Sequence, residues 1–354
     1  ATPVGNAISN LIGWATGVDQ QTQETWEIAK KYSFLDDWTK VDLRRTGTAT
    51  KITDSRVKQV ACGPGFMAIL GEEGTLFTMG LNNRGQCGTG SISNNVWTPE
   101  PVRGLSVSSS TIGMQNPAAE QDQPIIQVAL GFQHGYALSS SQVFSWGKAT
   151  RGQLGRELDS DQETWARPIV IEEGVVQIAS GHHHGALLTD SHEVYIWGKN
   201  MGRGDLKSSS SDRENHDARK PEKVLGLPTG PNGGTMKVQR ISCGSHHTSM
   251  LLEDGSVYAI GIASDEAVPI LDPVELIPAG MLEFPLRQFE AHHDRTTIVD
   301  NQGHVYQVHL WKDELLREYA YFTPPYVNAL LDAGESIQSI HRGWRHTIIV
   351  TKAG

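Results

Sequence analysis

Residues 181–188 read GHHHGALL. Three adjacent histidines, His182, His183 and His184, admit three meanings: a metal site, a catalytic base, or a requirement of the fold. Recurrence decides between them. Cousins of the stretch stand at 63–70 (GPGFMAIL), 131–138 (GFQHGYAL), 244–251 (GSHHTSML), 292–299 (HHDRTTIV) and 343–350 (GWRHTIIV). The units start at Gly63, Gly131, Gly181, Gly244, His292 and Gly343, spaced by 68, 50, 63, 48 and 51 residues.

Each unit has one grammar. An apolar segment leads in: VKQVACG, IIQVALG, VVQIASG, VQRISCG, LRQFEAH or IQSIHRG. A tight turn and a second apolar run follow, then a polar turn and a third run such as VFSWG or VYIWG. The first three units continue into a glycine loop, RGQCG at 84–88, RGQLG at 151–155 and RGDL at 203–206. A Pro-containing segment ending in Val then closes the unit. Four short strands repeated at this period predict an all-β fold, a β-propeller of four-stranded blades.

The triplet is read in that frame. The position of His184 is filled by Phe66, His134, His247, Arg295 and His346 in the other units, so four of six are histidine. A residue type that returns once per blade is read as structural, and we expect it to hydrogen-bond the strand turn near the inner end of each blade. No spaced Cys/His quartet suggests zinc. Gly63, Gly131, Gly181, Gly244 and Gly343 follow a buried strand, where close backbone approach favours glycine. Trp146 and Trp197 end third strands and are expected to pack blade on blade. RGQLG lacks the GK[ST] ending of a phosphate loop. No metal, cofactor or catalytic residue is assigned.

Composition narrows the function classes. Thirty Lys and Arg against 40 Asp and Glu leave a charge of −10, which disfavours direct nucleic-acid binding. Three cysteines, Cys62, Cys87 and Cys243, make no disulfide framework and suit a reducing compartment. No apolar run is long enough for a membrane span, and no signal peptide is visible. Domain organisation reads as an N-terminal segment, 1–56, and a propeller, 57–354. Within the first, 22–38 suggests a short helix, and WTKVDL at 38–43 suggests an outer strand. That strand would complete the last blade, so the termini interlock and no sheet edge is left open. Counting gives six blades.

Two insertions stand out, 106–124 between units and 207–220 within the third unit. Alternating strand direction puts them on opposite faces. Lys207, Arg213, Glu214 and Arg219 in the second are candidate partner contacts.

The turns ACG and SCG at 61–63 and 242–244, GWRHT at 343–347, VFSWG at 143–147 and RGQLG at 151–155 resemble the regulator of chromosome condensation repeat. The resemblance covers roughly 57–354 and implies a propeller, usually of seven blades, against the six counted here. It also implies functional alternatives. The residues favour a non-catalytic protein-interaction scaffold, a subunit or assembly factor of a multi-subunit complex. The family adds guanine-nucleotide exchange on a small GTPase, and chromatin binding. MGLNNRGQCG at 79–88 is similar to organellar members, and a start at Ala1 is compatible with a cleaved presequence. The expected location is therefore the mitochondrion, with nucleus and cytoplasm as alternatives.

Overall fold

The second run of each unit, such as HGALLT or HTSMLL, is apolar or small without alternation, so it needs cover on both faces. That requirement sets the architecture: sheets stacked face to face in series. The computed structural model describes residues 57–105, 124–199, 217–262, 269–282, 285–310, 337–342 and 347–351. The segments 22–38 and 38–43, the residues Lys207, Arg213, Glu214, Gly343 and His346, and most of both insertions lie outside the described residues.

The first sheet holds β1 (Val57–Gly63), β2 (Phe66–Gly71), β3 (Leu76–Leu81) and β4 (Asn95–Pro101). The second holds β5 (Ile125–Leu130), β6 (His134–Ser139), β7 (Val143–Lys148) and β8 (Gln162–Ile169). The third holds β9 (Val175–Ser180), β10 (His184–Thr189), β11 (Val194–Gly198) and β12 (Ala218–Lys223). The fourth holds β13 (Val238–Cys243), β14 (His247–Leu252), β15 (Val257–Ile262) and β16 (Pro269–Ile277). The fifth shows three strands, β17 (Gln288–His292), β18 (Arg295–Val299) and β19 (Val305–His309). The sixth shows two, β20 (Ile337–Arg342) and β21 (Thr347–Thr351). Among the described residues, each lead-in segment thus opens its own antiparallel sheet, with strands paired in chain order.

Neighbouring sheets meet along their first strands: β1 lies against β5, β5 against β9, β9 against β13 and β13 against β17. The second strands β6, β10 and β14 are buried at every residue, as their unbroken small and apolar composition requires. The core accordingly lies between sheets. One cluster joins Ala68 and Leu70 to Val128, Phe144 and Trp146, and the next joins Tyr136 and Leu138 to Ile178, Leu187 and Trp197.

Every third strand in the first four sheets carries a glycine with positive φ at its last or next-to-last residue: Gly80 (111°), Gly147 (98°), Gly198 (103°) and Gly261 (125°). The backbone irregularity there lets the next residue turn back. Lys148 and Lys199 donate their N–H groups to the carbonyls of Gln133 and His183, both at 2.8 Å. Chain direction therefore gathers the turns between first and second strands, the ends of the third strands and the glycine loops at one end of the sheets. The polar turns between second and third strands lie at the opposite end.

Candidate functional site

The repeat glycines do not serve the turn alone. A Cβ on Gly131 would stand 2.6 Å from the Gly181 carbonyl oxygen, and one on Gly181 would stand 2.6 Å from that of Gly244. Each would also strike the imidazole three residues on, at 2.1 Å for His134 and 2.0 Å for His184. The glycines are contact points between consecutive blades, packed under a histidine ring.

Those histidines reach across the joint. His134 shares a hydrogen bond with the Ser180 hydroxyl (3.1 Å), His184 with Thr248 (3.1 Å) and His247 with Thr296 (3.4 Å). Each ring thus reaches from its own turn to a hydroxyl of the next sheet. Burial holds the imidazoles neutral, with His134 pushed down to about 3, His247 to about 4 and His184 well below the ordinary range.

A main-chain ladder runs beside them. The N–H of Phe132 donates to the His182 carbonyl (3.1 Å), His182 to Ser245 (3.2 Å) and Ser245 to His293 (2.7 Å). The equivalent residue of the first unit is Pro64, which has no N–H to give. The side chains of this ladder form the candidate site. His182 packs against Phe132 (ring centroids 5.6 Å apart), His246 (5.6 Å) and His293 (6.2 Å), and Phe132 also meets His183 (5.6 Å). Phe132 is 37% exposed, His246 and His293 are exposed, and His182 and His183 are half-buried. Burial lowers His182 and His183 to about 4, with His246 next to the former and Lys199 next to the latter. The surface is thus aromatic and imidazole-rich, with His182 and His183 held neutral near pH 7 and Lys148 and Lys199 beside it. Among the described residues no cluster of His, Cys, Asp and Glu is arranged to hold a metal ion.

Trp146 and Trp197 bind the glycine loop of the preceding sheet. Trp146 Nε1 donates to the Gln86 carbonyl (2.8 Å), and Trp197 Nε1 donates to the Gln153 carbonyl (3.0 Å) and the Tyr136 hydroxyl (3.1 Å). Both indoles are fully buried. Gln86 and Gln153 belong to RGQCG and RGQLG, and their side chains accept the N–H of Arg84 (2.8 Å) and Arg151 (2.7 Å). The repeated glycine loop is therefore a socket for the next blade's tryptophan.

This socket, the bridging histidine and the four-strand order are shared by successive repeats. The chain carries regulator of chromosome condensation (RCC1) repeats. RCC1 repeat models match residues 73–138 and 140–188, and 57–86 and 175–204. The chain is 31% identical over 214 residues to the probable E3 ubiquitin-protein ligase HERC3 of Homo sapiens, covering 60% of this chain and 18% of that protein. The chain thus spans less than a fifth of that relative. The solved structure of human WBSCR16 superposes with a TM-score of 0.61 at 22% identity, covering 85% of this chain and 75% of that one. Prp20p from Saccharomyces cerevisiae, solved together with its binding properties to Gsp1p and histones, has a TM-score of 0.56 at 19% identity and covers 80% and 66%. These two likenesses establish the propeller fold.

Of the candidate partner contacts, only Arg219 is among the described residues. It is exposed on β12, and its Cα would lie 3.1 Å from a Cβ on Gly152 of the preceding sheet's loop. One recurrent residue escaped the sequence reading. Gln59, Gln127, Gln177 and Gln288 stand four residues before the repeat start, and each grips the next sheet's first strand. Gln59 donates to the Val128 carbonyl (2.8 Å) and accepts its N–H (3.0 Å). Gln177 treats Ile241 alike (2.8 and 3.0 Å), as Gln288 does Ile340 (2.6 and 2.7 Å). The signal was the shared glutamine of the lead-in segments VKQVACG, IIQVALG, VVQIASG and LRQFEAH.

Proposed function

We infer that this RCC1 repeat chain is a protein-docking scaffold that engages its partner at the turn end of the sheets. The observation that carries the reading is the patch of Phe132, His183, His246 and His293. It is rich in rings, with Phe132, His246 and His293 exposed and His183 half-buried, and it lines up along a backbone ladder that crosses four successive sheets. Aromatic and imidazole side chains supply contact area with few rotamers to freeze, which suits protein recognition. Lys148 and Lys199 add positive charge to a chain of net −10, favouring an acidic contact surface on the partner. Membership of a multi-subunit complex, and a mitochondrial location, belong to the same proposal. The location rests on the likeness of MGLNNRGQCG to organellar members.

The test is affinity purification at native expression level of the wild-type chain and of a variant carrying Phe132→Glu, His183→Glu and His246→Glu. A specific partner is expected with the first and lost with the second, at an unchanged melting temperature. Retention of the same partner by the folded variant removes the reading. Imaging of the tagged protein decides the compartment.

A second reading, nucleotide exchange on a small GTPase, is supported by the RCC1 repeats and by the Gsp1p binding described for Prp20p. Release of a fluorescent GDP from a co-purified GTPase tests it. No acceleration over the spontaneous rate leaves the scaffold reading alone.

A further inference from the structure

The glutamine clasp recurs at the joints from Gln59, Gln127, Gln177 and Gln288, and it is missing at one described joint between them. In the fourth sheet the position belongs to Arg240. A glutamine there would accept the N–H of Phe289 and donate to its carbonyl, as its counterparts do at Val128, Ile178, Ile241 and Ile340. A guanidinium carries donors only, so it has no atom to accept that N–H. The register agrees: Phe289 pairs with Ile298 as Val128 pairs with Ala137, which turns the Phe289 N–H away from β18 and toward the fourth sheet. Two residues on, the Ala291 N–H is met by the Ser242 hydroxyl at 2.8 Å, but among the described residues no equivalent reaches Phe289.

Where the clasp is missing there is a cavity of about 430 Å³, lined in part by Gln239, Arg240, Arg287, Phe289 and Glu290. It lies at the starts of the first strands, opposite the ladder of histidine turns. Its charges are unequally committed. Arg287 is spent on the Ile337 carbonyl (3.0 Å) and the Asn301 carbonyl. Glu290 lies 3.2 Å from His292. Arg240 is exposed and makes no ion pair among the described residues.

We propose that this cavity binds a carboxylate-bearing small ligand, with Arg240 and the Phe289 N–H as its anchors. One carboxylate oxygen takes the acceptor role that a glutamine oxygen plays at the other joints, and the second meets the guanidinium. Glutamine's own amide is the same size and geometry as a carboxylate, so the joint already has the shape of the group it would hold. A planar carboxylate fits better than tetrahedral phosphate, because it repeats the coplanar arrangement of the amide that closes the other joints and matches the fork of the guanidinium. The site is separate from the docking patch, at the other end of the sheets, and it stands or falls independently.

The test is calorimetric titration of the full chain with succinate, with inorganic phosphate and with sodium chloride at matched ionic strength. Succinate is expected to bind, and phosphate and chloride to give no comparable heat. Arg240→Ala should weaken succinate binding by about tenfold or more, the value of a lost charge-assisted pair. Arg240→Gln should abolish binding and raise the melting temperature of the ligand-free protein, since it restores the clasp to Phe289. Equal binding by Arg240→Ala, equal heats from phosphate or chloride, absence of succinate binding, or an Arg240→Gln chain that melts no higher than wild type would each overturn the proposal.

Discussion

The side-chain amide of Gln127 holds the backbone of Ile178 from both sides, donating to its carbonyl at 3.0 Å and accepting its N–H at 2.9 Å. Ile178 sits in the next sheet, 51 residues away. The pair is a two-bond splice between first strands that share no ladder. It satisfies a main-chain donor and acceptor that the stacking of separate sheets would otherwise leave buried and unpaired.

Gln127→Leu should therefore cost more than a surface substitution. It removes two bonds and strands both polar groups of Ile178, so a loss of roughly 2–4 kcal/mol is expected. Urea denaturation checks it. A midpoint unchanged within error would mean that water replaces the amide and the splice contributes nothing.

The repeat glycine offers a matched pair of substitutions. Gly181→Ala places a methyl group 2.0 Å from the His184 ring and 2.6 Å from the Gly244 carbonyl oxygen. Gly234→Ala meets nothing within 4 Å. The first is expected to lower the melting temperature strongly or prevent folding, and the second to leave the stability within about 0.5 kcal/mol of wild type. Similar behaviour of the two chains would show that the joint yields freely.

Trp197→Phe keeps an aromatic ring but removes the donor to the Gln153 carbonyl and part of the packing. A loss of roughly 2–3 kcal/mol follows from one buried hydrogen bond plus the missing ring volume. The Tyr136 hydroxyl still donates to Gln153, so the glycine loop should stay in place. Cleavage at 151–155 by limited proteolysis of the folded variant would show instead that the indole alone secures the loop.

Acid should destabilise the protein through the bridging histidines. In the unfolded chain they take up protons near pH 6.5, whereas burial holds folded His134 to about 3 and His247 to about 4. Between these limits the unfolded state binds more protons, so stability falls as pH falls through that window. The limiting slope is about 1.4 kcal/mol per pH unit for each histidine. Above pH 7 this contribution is constant. Urea midpoints should hold level from about pH 8 to about pH 7 and then decline down to about pH 5. A flat profile would contradict neutral, buried imidazoles.

How much of this was legible follows from where each residue's partner lies. Periodicity exposed the four-strand unit because the second strands are covered on both faces and so carry unbroken runs such as HGALLT. It exposed the recurring histidine and glycine because each repeat faces the same neighbour. It did not reveal that His184 reaches Thr248, because that hydroxyl is 64 residues away and follows no local pattern. Gln59 and its counterparts were visible letters without a meaning for the same reason. A polar residue in a first strand reads as a solvent-facing position until a second sheet is laid beside it.

Sequence by itself determined the repeat, its likeness to the RCC1 repeat and the all-β class, since each depends on order and spacing along one chain. Tertiary structure alone decided which residues are joints and which are surface. His184 is sealed inside a joint while His183, its neighbour, is half-buried on the turn surface, and Arg240 fronts a cavity where its counterparts close a seam. The physical reason is that these roles are set by the adjacent sheet. A hydrogen bond or a burial between blades is a property of two segments some 50 residues apart, and neither segment carries it alone.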